Sequence, residues 1–143
     1  MNFHEQDNYT INDIQALIDN HAEESVHLEL KRADALSMEN ADKITKTLSA
    51  FANSDGGVII YGIEEKDHVA SGFSFVNGKI ITSEKISLLA RYVQPAINGL
   101  TIYPIRKDDD FSKSIYVVKV PRSDKAPHMA KDHRYYKRNN VES

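Results

Sequence analysis

Two groups of acidic residues carry the first chemical signal in this sequence. Glu24 and Glu29 flank Ser25-Val26-His27-Leu28, and Glu64-Glu65-Lys66-Asp67 follows an apolar run. Carboxylates brought together can hold magnesium or manganese, which take oxygen ligands, activate water and neutralise charge on a phosphodiester. Lys31 lies two residues beyond Glu29, so a strand would put both on one face, where the ammonium can meet a phosphate. The ordinary reading of the same residues is solvent-facing strand partners and hairpin-turn acids. Near the other end, Arg134, Tyr136 and Arg138 alternate around Tyr135 and Lys137. Guanidinium groups bind phosphates and a tyrosine stacks on bases or packs over sugar, whereas a charged edge that prevents sheet-to-sheet aggregation is the competing account.

Other chemistries find less support. The chain has no cysteine, which excludes disulfides, thiolate-ligated zinc, iron–sulfur clusters and a thiol nucleophile. His128 and His133 are five residues apart and lack further ligands for zinc, and His27 has the choice of proton transfer or an ordinary surface position. Gly78-Lys79 is followed by Ile80 and lacks the preceding glycine loop, so no phosphate-binding loop for ATP is present.

The 143 residues, 41% apolar and 27% charged, suit one globular domain. No apolar run reaches the length of a membrane span and the first residues lack the pattern of a signal peptide, which points to the cytoplasm and away from membranes. The net charge of −3 conceals a polarity: residues 1–29 hold seven acids and no Lys or Arg, while residues 119–138 hold seven bases against two acids. Such a polarity can set a phosphate-binding strip beside carboxylates, or simply let two solvated faces attract.

The elements that must position these groups follow from periodicity. Thr10, with Asp13 three residues on, caps an amphipathic helix through Ile11, Ile14, Leu17 and Ile18 that ends near Asn20. Val26, Leu28 and Leu30 alternate with His27, Glu29 and Lys31, the pattern of a half-buried strand. Glu24 has the opposite parity, so it reaches Glu29 only if the chain turns or bulges near Ser25. A helix is predicted over 39–54, stopped by Gly56-Gly57, then a central strand over 58–63 with Glu64–Asp67 as the turn beyond it. A hairpin arm over 68–75, a helix over 83–92 closed by Pro95, strands over 100–106 and 114–120, and a last short strand over 134–138 complete the order. The fold class is therefore α+β, a mixed sheet packed by helices.

The string Glu24-Ser25-Val26-His27-Leu28-Glu29-Leu30-Lys31 and the string Ala50-Phe51-Ala52-Asn53-Ser54-Asp55-Gly56-Gly57-Val58-Ile59-Ile60-Tyr61-Gly62-Ile63 together resemble the Schlafen AlbA-like domain family. The resemblance runs over about residues 20–138, taking in Pro95, Val120-Pro121 and the closing Tyr136-Lys137-Arg138. It implies a nucleic-acid-binding domain over 9–138, preceded by a loose segment 1–8 and followed by a tail, 139–143, that starts a downstream region. Ribonuclease members of the family use a three-carboxylate metal site to cut structured RNA such as tRNA. The matching positions are Glu24, Glu29 and Glu65, with Lys31 beside them; Glu65 stands where nuclease members carry aspartate, and Glu64 and Asp67 are alternatives. Magnesium or manganese, without ATP, is the cofactor the resemblance implies.

Three functions compete on this basis. One is a metal-dependent endoribonuclease, another a non-catalytic DNA- or RNA-binding module like family members in bacterial transcriptional regulators, and the third an oligomerisation domain. Arg134, Tyr136, Lys137 and Arg138 are the candidate nucleic-acid contacts. Ribonuclease members build a clamp from two related lobes, and this sequence has one lobe, so a homodimer is expected to complete the groove.

Overall fold

The computed structural model describes residues 2–138. The elements in chain order are α1 (Ile11–Asp19), β1 (Leu28–Lys31), α2 (Ala41–Ala52), β2 (Gly57–Tyr61), β3 (Ile63–Lys66), β4 (Val69–Phe73), α3 (Ser83–Ala90), β5 (Thr101–Arg106) and β6 (Ser114–Val120). Four strands form a mixed sheet in the order β1-β2-β6-β5, with β1 parallel to β2 and the other pairs antiparallel. The domain is thus α+β, with β3 and β4 forming a separate two-stranded ribbon.

Every residue of β2 is buried, as a continuous apolar strand at the centre of a sheet requires. Its alternation divides the core in two. Ile59 and Tyr61 face Ile44, Leu48 and Phe51 of α2 with Ile86 and Leu89 of α3. Val58 and Ile60 face Ile14 of α1, with Tyr9, Ile63 of β3 and Ala70 of β4. Thr10 closes its capping box with Asp13, which fixes the start of α1. Ahead of it Phe3 packs against this second core, and the Tyr9 hydroxyl donates to the Phe3 carbonyl at 2.7 Å. Among the described residues, no helix is long and apolar enough to cross a membrane.

Three expectations are corrected. The first strand starts at Leu28, because Ser25 and Leu28 bond reciprocally through their backbones and Val26 is left exposed on the turn. Glu64, Glu65 and Lys66 belong to β3; Gly62, at φ 120°, redirects the chain out of the main sheet, and the turn falls on Asp67 and His68. The segment 134–138 forms no strand. Instead Asn53 Nδ2 donates to the His128 and Tyr136 carbonyls, both at 2.9 Å, and its Oδ1 accepts from the His128 amide at 2.6 Å. One side chain therefore satisfies backbone groups that a ladder would otherwise engage. Residues 139–143 lie outside the described residues.

The link between α2 and β2 depends on Gly56, which adopts φ 76° where a Cβ would lie 2.6 Å from the Val120 carbonyl oxygen and 2.7 Å from the Arg122 amide nitrogen. Both neighbours are backbone and cannot rotate away. Gly56→Ala is expected to cost about 2 kcal/mol or more, a fall of about 5 °C or more in Tm by thermal denaturation.

Candidate functional site

The site is assembled at the outer edge of β1. The Ser25–Leu28 turn lies between Glu24 and the strand, and resolves the parity conflict seen in the sequence. The backbone of Glu24 is fixed from the other side, since its amide donates to the His68 carbonyl at 2.8 Å while the Ala70 amide donates to Ala22. These bonds place the β3–β4 turn directly beside Glu24.

The Glu24 side chain is 4% exposed. Oε2 accepts from the Leu30 amide at 2.8 Å, and Oε1 lies 2.6 Å from His68 Nδ1. His68, at φ 67°, donates its own amide to Glu65 Oε2 at 2.7 Å. Glu29 is held by cations: Oε1 accepts from Arg138 Nη1 at 2.6 Å, and Oε2 is 3.4 Å from Lys31 Nζ. Arg138 also donates through Nη2 to the Ser25 carbonyl at 2.6 Å, with its guanidinium 4.3 Å from the centre of the Phe51 ring.

Burial, and then the nearby Glu29 carboxylate, push Glu24 up to about 7, although the Leu30 amide and His68 act in the opposite direction. Burial alone would raise Glu29 as well, but its interactions with Glu24, Arg138 and Lys31 together hold it below the usual carboxylate value. His68 is raised, chiefly by its bond to Glu24. Near neutral pH the two carboxyls therefore differ: Glu29 is an anion, and Glu24 exchanges a proton.

Glu24, Glu29, Lys31, Arg32, Glu65 and His68 line one open cleft of about 250 Å³. Within it Glu24, Glu65 and His68 can each present a donor atom, all within 4.8 Å of one another. Of the three acids weighed for the third position, Glu65 has this placement. Glu64 Oε1 instead lies 3.8 Å from Arg32 Nη1, and Asp67 occupies the positive-φ turn. A donor set of carboxylate oxygens with one imidazole nitrogen fits a small divalent cation, the oxygens suiting magnesium or manganese and the nitrogen the transition metal of the two.

His68 had no signal in the sequence beyond its place in a hairpin turn. The basic residues near the end of the chain are distributed otherwise than a strand face predicts. Arg138 is turned inward onto Glu29, and the Tyr136 hydroxyl donates to Asp132, with Lys46 Nζ 5.1 Å from its ring. Arg134 and Lys137 are exposed. His128 is fully buried, bonded to the Pro95 carbonyl at 2.7 Å and Ser123 Oγ at 2.6 Å, so it packs the core and forms no pair with exposed His133. His27 stacks on His4, with ring centres 4.3 Å apart, and does not line the cleft.

The sequence matches the family Schlafen, AlbA_2 over residues 24–143, so every cleft residue named above falls inside the match. The chain belongs to this family, which points to a nucleic-acid-binding domain. The fold is similar to the crystal structure of the DIP2311 protein from Corynebacterium diphtheriae, with a TM-score of 0.55 and 16% identity over 90% of this chain. This chain spans 25% of that protein's length, and at this identity the likeness concerns the fold alone. No curated relative matches.

The raised Glu24 gives a measurable signature. Its folded-state value of about 7 lies above the ordinary 4.5, so the folded protein binds the extra proton between those values and this group's stabilising contribution falls as pH rises across that window. Carboxyl ¹³C NMR without divalent cation is expected to give a Glu24 midpoint near 7. Glu29→Gln is expected to lower that midpoint only in part, because burial, the larger cause, persists.

Proposed function

We propose that this chain is a nucleic-acid-binding domain that cuts phosphodiester bonds in structured RNA such as tRNA, at a divalent-cation site formed by Glu24, Glu65 and His68 with Glu29 alongside. The observation that carries this reading is the convergence of acids from two separate segments on one open cleft that also holds Lys31 and His68.

Glu24 and Glu65 would hold magnesium or manganese with His68 Nδ1 as a further donor, and Glu29 would add its charge from the neighbouring wall. The cation, when bound, supplies an activated water and neutralises developing phosphate charge. The chain's own groups do the remaining work. Without the cation, Glu24 Oε1 and His68 Nδ1 share a proton across 2.6 Å; with the cation bound, both would serve as its ligands. Lys31 stands at the cleft as a positive charge for the phosphate, and Arg138 keeps Glu29 ionised and oriented.

A second reading is favoured by one observation: both Glu29 oxygens already face cations, so the cluster is charge-balanced by protein groups alone. That balance suits a non-catalytic DNA- or RNA-binding module. Incubation of end-labelled tRNA with the chain and manganese separates the two. The nuclease reading expects metal-dependent cleavage that falls about 100-fold or more in Glu29→Gln, and a larger loss for Glu65→Ala than for Glu64→Ala. Cleavage that survives Glu29→Gln would remove this mechanism, and salt-sensitive binding without any cleavage would establish the second reading.

A further inference from the structure

A second cleft, of about 300 Å³, opens between the edge of β1 and the first half of α2. Lys31 forms one wall, and Asn40, Lys43 and Thr47 form the other. Lys43 and Thr47 are one helical turn apart and present their side chains on the same side of α2. Tyr61 lies beside Lys31 in the sheet register and also lines the cleft.

Tyr61 is the informative residue. Its ring is packed among the α2-facing core residues and is 2% exposed. Among the described residues its hydroxyl makes no hydrogen bond, yet no fully buried side-chain polar atom lacks a partner. The side chain is almost wholly buried, and it lines the cleft with this hydroxyl unpartnered among the described residues. A phenol locked in the core, with an unpartnered donor in the lining of a cleft, is positioned for a ligand acceptor, with little side-chain entropy left to lose.

The charge of the walls identifies the acceptor. Lys43 makes no ion pair among the described residues, and Lys31, half-exposed with its Nζ 3.4 Å from Glu29 Oε2, adds a second ammonium at the border with the acidic cleft. The carboxylate at the mouth, Asp34, is 82% exposed and lies 4.0 Å from the Arg32 guanidinium, so it is partly neutralised outside the cleft. Two ammonium groups and a phenolic O–H are donors suited to phosphate oxygens. The volume is enough for a phosphate with its sugar. Lys31, Asp34 and Ala35 line this cleft and the acidic one alike, so the two are continuous.

We propose that the cleft formed by Lys31, Lys43, Thr47 and the Tyr61 hydroxyl is a phosphate-binding subsite that seats the backbone phosphate of a nucleotide adjoining the acidic cleft. The subsite rests on the nucleic-acid reading of the neighbouring cleft but not on catalysis there. A single strand whose scissile linkage lies against Glu24 and Glu65 extends along α2, with Lys31 between successive phosphates.

Binding without divalent cation tests this, using inorganic phosphate, a nucleoside monophosphate and a 2′-O-methyl oligonucleotide that cannot be cut, followed by amide NMR shifts. All three ligands are expected to shift residues 40–47 and Tyr61, with the oligonucleotide binding most tightly. Lys43→Ala should weaken oligonucleotide binding about tenfold, and Tyr61→Phe, which keeps the packed ring, about threefold. Lys113→Ala, at the β5–β6 turn, should leave it unchanged. Shifts confined to other surfaces, or equal affinity in all variants, would overturn the subsite, and a mononucleotide binding as tightly as the oligonucleotide would overturn its assignment to a nucleic-acid chain. Weakened binding in both variants, with no manganese-dependent cleavage by the wild type, keeps the subsite and removes the nuclease; cleavage with unaltered binding in the variants does the reverse.

Discussion

The hydrogen bond from the Leu30 amide to Glu24 Oε2 is the contact on which the candidate site depends. Leu30 belongs to β1, the edge strand, whose outward amides have no neighbouring strand to receive them. A carboxylate in that position ends the sheet, but it must be buried to do so. Burial then requires a further partner, which His68 supplies. The Ser25–Leu28 turn and the backbone bond from Glu24 to His68 are the local means of holding that carboxylate in place. The bend in the chain, the position of the ribbon and the elevated proton affinity of Glu24 are therefore linked features of one edge cap.

Around this cap, charge changes sign over a short distance. Glu24, Glu29 and Glu65 gather on one side of Lys31, while Lys43 stands on the other without a counter-ion among the described residues. Lys31 belongs to both environments, and its exposure allows it to lean toward Glu29 or toward an incoming anion. The net acidic character of the whole chain is therefore a poor guide to the field met by a nucleic acid at this edge.

Much of this was legible in the sequence. The apolar run that became β2, the capped α1 and the paired strands β5 and β6 each rest on local patterning that tertiary packing reinforces. The convergence of Glu24 with Glu29 was legible once a turn at Ser25 was required. What stayed hidden depended on single side chains acting at long range. Arg134-Tyr135-Tyr136-Lys137-Arg138 has strand-like alternation, but Asn53 takes over the backbone bonding and Arg138 turns inward. His68 is an exposed turn residue by type, and only the backbone bond to Glu24 brings its ring into the cluster. Tyr61 looks like any aromatic in a buried strand until the cleft beside it is seen.

The clamp of Arg138 on Glu29 joins residues 109 positions apart, and its other donors reach back as far, to Ser25 and Val26. Closing so large a loop costs entropy that neighbouring contacts cannot recover until the intervening sheet exists. In a chain made from its N-terminus, the acids emerge long before the arginine that neutralises one of them. The nascent domain thus passes through an interval in which Lys31 is the close cation of Glu29, and the second, Arg138, arrives only after the strands that carry the acids have been made.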